Sequence, residues 1–156
     1  MSLQTFEGDL LLFDTPDGGD FLLTEGLLES DRSYDTAVYL SLFGGNKKDN
    51  GRVGNRKTWW GNTLRGVSEN QKISSRFQAV IFGMPMSSKT ILEAEDAAKI
   101  DLSWFKKEKI VDEIIVDGRA VTRSRFSLKV SMIKQGKSIY ENTFMTPWKA
   151  GSNGSI

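Results

Sequence analysis

The sequence predicts an α+β fold: a single domain in which an antiparallel sheet, made of an N-terminal hairpin and a C-terminal three-stranded meander, packs with two main helices. Three observations lead there. Beyond Lys109 the apolar residues recur with period two and are punctuated by Gly-containing turns. Before it, two stretches opened by small hydroxyl residues, Ser33 and Ser87, place apolar side chains at helical spacing. Near the N-terminus, two short apolar runs flank Pro16-Asp17-Gly18-Gly19. At 156 residues the chain is long enough for one core and short for two, so residues 1–148 are read as one domain. The Gly- and Ser-rich residues 149–156 are read as a flexible tail.

Asp9-Leu10-Leu11-Leu12-Phe13 and Phe21-Leu22-Leu23 form the expected hairpin, with Pro and Gly supplying the preset and positive φ angles of the reversal. Asp14, Asp17 and Asp20 lack the glutamate and glycine register of a calcium-binding hand and are assigned to turn chemistry. Ser33 is the expected N-cap of a short helix whose apolar residues 34, 37, 38 and 42 share a face, and Gly44-Gly45 ends it. A polar, basic loop from Asn46 to Lys57 follows, then Thr58-Trp59-Trp60-Gly61-Asn62.

Phe77 to Phe82 is too short for periodicity to separate strand from helical turn. Ser87 caps the expected long helix to about Lys107, with Ile91, Leu92, Ala94, Ala98, Leu102 and Phe105 on the buried stripe and Thr90 with Glu93 as an alternative start. Ile110, Val111 and Ile114 to Val116 form the next strand, closed by an expected turn at Asp117-Gly118. Phe126, Leu128, Val130 and Met132 alternate with Ser127, Lys129, Ser131 and Ile133, and Gln135-Gly136 turns the chain into a last strand, 138–146, placed at the sheet edge. Pro147 ends it.

The 21 basic and 20 acidic residues nearly cancel, so the molecule as a whole is no electrostatic magnet for nucleic acid or an anionic membrane. With neither cysteine nor histidine, disulfides, thiolate chemistry, the common zinc ligands and a histidine general base are excluded. No segment approaches the roughly 20 apolar residues that span a bilayer, and Met1 to Asp9 lacks a signal-peptide pattern, so a cytoplasmic site of synthesis is expected. No cofactor, metal site or catalytic residue is expected.

The run Thr36 to Phe43, the hydrophilic loop, Trp59-Trp60-Gly61-Asn62, Ser75-Arg76-Phe77, the helix near Ser87 carrying Trp104, and the closing strands to Trp148 together resemble the baseplate wedge proteins of Mu-like contractile-tailed phages. That family is related in fold to the small wedge protein of contractile injection machines. The resemblance covers residues 9 to 148; it departs at Asn62, where an acidic residue is common, and in the tail after Trp148. It favours a helix at 77–82. It also implies a structural, non-enzymatic subunit of the virion's tail baseplate, assembled in the bacterial cytoplasm. Six copies would form a ring around the tube, join the larger wedge protein and tube or hub proteins, and offer strands to the first ring of sheath protein. The expected mechanism is strand addition with aromatic anchoring.

On that reading the interface residues are Arg52 and Arg56 in the basic loop and Ile139, Tyr140, Asn142 and Phe144 in the last strand. Parts of the sequence also fit two other classes. Lys47, Lys48, Arg52, Arg56, Lys57 and Arg65 beside Trp59 and Trp60 are what a single-strand nucleic-acid platform displays, although no nucleic-acid partner is expected from the balanced charge. A glycan-hydrolysing tail enzyme needs facing carboxylates, for which Glu25 with Glu29 and Glu93 with Asp96 are the candidates.

Overall fold

The computed structural model describes residues 9–10, 12–15, 18–21, 23–24, 27–28, 30–31, 34–45, 62, 66, 68 and 72–148, with the backbone alone for the strands before residue 32. The architecture is α+β. By backbone contacts the chain groups into two compact units, Met1–Tyr39 and Leu40–Ile156. Ser33, Arg52, Arg56, Trp59, Trp60, Glu25, Glu29 and the tail 149–156 lie outside the described residues.

The first unit is built from short antiparallel ladders. β2 (Leu12–Thr15) pairs with β3 (Gly18–Phe21), which is the expected hairpin in a tighter register: Asp14 faces Gly19 and Thr15 faces Gly18 within the ladder. β4 (Leu23–Thr24) pairs with β5 (Leu27–Leu28), and β1 (Asp9–Leu10) with β6 (Ser30–Asp31). Helix α1 (Asp35–Phe43) follows, with Val38 and Leu42 fully buried one turn apart and Tyr39 exposed, the face that the spacing predicted. Gly45, at φ 106°, takes the conformation that ends the helix without a Cβ penalty.

In the second unit, α2 (Arg76–Gly83) is a helix because Ser75 caps it, accepting the Gln78 amide, and because Phe77 and Ile81, one turn apart, both bury. The Ser75 hydroxyl donates to Leu42 O, the Ser75 amide donates to Gly45 O, and Asp101 accepts the Phe77 amide at 2.9 Å. One polar node thus joins the end of α1, the start of α2 and the end of α3 (Ser88–Asp101). Burial pushes the Asp101 carboxyl above its ordinary 3.8, against the amides of Phe77 and Arg76 and the Ser75 hydroxyl, which hold it down. Asn62 clamps the same region: its amide donates to Ile73 O at 2.6 Å and accepts the Ile73 amide at 2.8 Å. A carboxylate at that position has no hydrogen to donate, so the asparagine is suited to bind both backbone groups.

Helix α3 is capped as expected by Ser87, but its box closes on Thr90, whose hydroxyl accepts the Ser87 amide. The predicted long helix breaks at Leu102 and resumes as α4 (Trp104–Lys107). Ala94, Ala97 and Ala98 are buried and let α3 lie close to β7 (Glu113–Thr122). Leu92, expected on that stripe, is 61% exposed: three alanines already define the contact line, and Leu92 falls off it.

β7, β8 (Arg125–Lys134) and β9 (Lys137–Pro147) form an antiparallel meander in the order β7-β8-β9. Phe126, Leu128, Val130 and Met132 are all fully buried on one face of β8, as their alternation predicts. Two turn expectations meet different outcomes. Gln135 and Gly136 both have positive φ, 50° and 72°, and make the tight β8–β9 hairpin. Asp117-Gly118 is no turn, and Ile110 and Val111 are not in the strand: β7 runs through Gly118 and reverses at Arg123-Ser124, with an irregularity between Ala120 and Thr122 easing the reversal. Trp148 locks the end of the meander, its amide donating to Ser124 O at 2.8 Å and its indole to Met84 O at 2.6 Å, edge-on to Phe126.

Candidate functional site

The sheet has two outer strands, and they are finished differently. Along β7, Gly118 faces Leu128 of β8 yet donates its amide to the Glu95 carboxylate of α3 at 2.7 Å. That amide therefore points away from β8 and is met by a helix side chain. A Cβ at Gly118 would lie 2.7 Å from Phe126 Cζ and 3.0 Å from Glu95 Cγ, so glycine is what lets the helix come this close. The edge of β7 is covered at its middle.

The same bond reveals the phase of the whole sheet. In an antiparallel ladder, a central-strand residue that is not hydrogen-bonded to one neighbour bonds the other. Leu128 therefore exchanges its bonds with Phe144, its partner in β9, and the flanking amides of Thr143 and Met145, with that of Glu141 beyond, point outward. The Thr143 amide donates to the Asn142 side-chain oxygen at 2.7 Å, as this phase requires of an outward-facing group. Among the described residues no strand lies beyond β9, and neither Glu141 nor Met145 donates its amide outside the sheet. Pro147, which has no amide to offer, closes the edge where the strand ends.

The residues predicted for the interface sort by face. Ile139 is 41% exposed on the outward face. Tyr140 is buried, and Phe144 is half-buried with its ring 5.9 Å from Phe43, so both belong to the inner face and anchor the strand. Asn142 shares that face and caps its neighbour's amide. The outward amides belong to Glu141, Thr143 and Met145. No single residue type marks an outward amide; the phase became visible only through Glu95 and Gly118.

The outer face around this edge carries paired charges beside the exposed Ile115, Ile139 and Met145. Glu141 lies 3.0 Å from Lys129 and accepts the Ser131 hydroxyl at 3.2 Å, and Lys129 holds the Glu141 carboxyl below its ordinary range, with the Ser131 hydroxyl adding to the effect. Arg119 pairs with Asp117 at 2.7 Å. The carboxylates weighed for hydrolysis, Glu93 and Asp96, are engaged with Lys89 at 3.7 Å and Lys99 at 3.5 Å on the surface of α3. Among the described residues no group of three or more acidic side chains is placed to hold a metal ion, and no helix is long and apolar enough to cross a membrane. Comparison of the chain with protein-family models, with curated proteins and with solved structures finds no match.

Proposed function

We propose that this protein is a structural subunit of a contractile-tail baseplate, whose work is to join neighbouring proteins through the outer edge of β9. The observation that carries the reading is the asymmetry of the sheet: the β7 edge is met by the Glu95 carboxylate, while the Glu141, Thr143 and Met145 amides of β9 face outward. An added strand would take its backbone hydrogen bonds from that edge and its side-chain contacts from Ile139 and Met145, which are 41% and 57% exposed. The kind of assembly rests on the resemblance from Thr36 to Trp148; in that setting the added strand belongs to the sheath protein, and the larger wedge protein holds the subunit in its ring.

The test replaces Met145 with proline. Its amide is not used in the β8–β9 ladder, so the variant is expected to fold, as judged by circular dichroism, and to fail to seed sheath in a reconstituted baseplate. A folded Met145→Pro subunit that seeds sheath at the wild-type rate would refute strand addition at this edge.

A further inference from the structure

The geometry points to a second copy of this chain as the strand that covers β9 in the free protein, in an antiparallel β9–β9 pair with its two-fold axis at Thr143. This rests on the β9 edge, unclaimed among the described residues, and not on the baseplate reading. The three-stranded sheet of a copy offers two strand edges. Pairing β9 on the β7 of another copy is obstructed at Gly118, where the Glu95 carboxylate already occupies the outward amide at 2.7 Å. The like edge remains, and a like-with-like contact is self-complementary and closes at two copies.

Register follows from which amides face out. With the axis at Thr143, Thr143 lies opposite Thr143, Glu141 opposite Met145 and Ile139 opposite Pro147. All the outward amides between Glu141 and Met145 then meet carbonyls, in about six ladder hydrogen bonds. Moving the axis to Phe144 sets Glu141 against Pro147, which cannot donate. Moving it to Asn142 brings the two Glu141 carboxylates onto adjacent outer-face positions across the pair and pushes the contact into the irregularity between Met132 and Ile133 of the β8–β9 ladder.

Side chains agree with the central register. Glu141 is the only charged residue between Ser138 and Thr146, and the two copies of it lie about 13 Å apart. Each is already neutralised by its own Lys129 at 3.0 Å. Met145, 57% exposed, is covered, and a Thr–Thr cross-strand pair is favourable. The usual guards of an edge, lysine and proline, stand at Lys137 and Pro147, outside the segment that pairs. The Thr143 amide exchanges its Asn142 side-chain oxygen for the carbonyl of the second Thr143.

The chain contains no cysteine, so a single introduced thiol reports the register cleanly. Hydrogen-bonded partners sit about 5.5 Å apart between Cα atoms, within disulfide range. Under mild oxidation Thr143→Cys is expected to cross-link to itself, and Ile139→Cys, whose own copies are far apart in this register, is not. Sedimentation equilibrium of the unmodified protein should show monomer and dimer alone, and a folded Thr143→Pro variant should raise the dimer dissociation constant at least tenfold. A monomer across the accessible concentration range, species larger than a dimer, or Ile139→Cys cross-linking as readily as Thr143→Cys would each overturn the proposal. A monomeric result would leave the assembly reading to its own experiment, since the edge would be open to a different strand.

Discussion

The β7 and β9 edges belong to one sheet, flank the same central strand, and end in opposite conditions. β7 has a glycine at the point where a helix carboxylate reaches its outward amide; β9 has side chains at every such point and, among the described residues, no helix partner for the amides of Glu141 and Met145. The comparison teaches that an edge is closed by a tertiary contact as much as by its own residues. Gly118 would be a weak strand residue in isolation, yet its missing Cβ lets α3 approach.

The largest effect is expected where that approach is blocked. Gly118→Val forces a side chain against Phe126 and Glu95 and should cost about 3 kcal/mol in urea denaturation, the upper range for overpacking a filled site. Glu95→Ala is the gentler way to open the same edge: it removes a charge-assisted bond worth about 1.5 kcal/mol and bares the Gly118 amide. With both edges then available, head-to-tail pairing becomes possible, and sedimentation should show species beyond the dimer. If Glu95→Ala leaves the association state unchanged, the closure of β7 lies elsewhere along α3.

Asp101 gives a control on the same helix, since it too holds backbone amides with a carboxylate, but away from the sheet edge. Because burial raises its folded-state pKa, the native chain binds the proton more tightly than the unfolded one. Stability from this group is present below its ordinary value near 3.8 and falls as pH rises through the raised folded value. Asp101→Asn should flatten that part of the stability–pH profile, followed by thermal melts, without altering the association state. The smallest effect is expected on the solvent face of β9: Lys129→Gln should leave the melting temperature unchanged within error, because the ion pair is exposed. Its readout is the Glu141 carboxyl titration by NMR, which should move up towards the ordinary range once the ammonium is gone.

Much of the fold was legible because it is written in local chemistry. The alternation in β8, the Gln135-Gly136 hairpin, the Ser87 cap and the edge position of the last strand follow from period, φ preference and hydroxyl placement. Asp117-Gly118 misled for the same reason: as a dipeptide it signals a turn, whereas here the glycine serves a helix brought from more than twenty residues away. The true reversal at Arg123-Ser124 contains no glycine and is eased by the ladder irregularity beside it. Leu92, expected on the buried stripe, lies two, five and six residues from Ala94, Ala97 and Ala98, which puts it on the opposite side of the helix from them, in solvent.

The sequence alone determined the α+β class, the buried face of β8 and the absence of thiol and imidazole chemistry, since each depends on residue type and near-neighbour spacing. Only the tertiary structure decided which way the amides of β9 point and which sheet edge is unclaimed among the described residues. That phase is set by the pairing of three strands and is reported by a long-range bond from Gly118 to Glu95, and backbone amides look alike in every residue until a neighbouring strand or helix claims them.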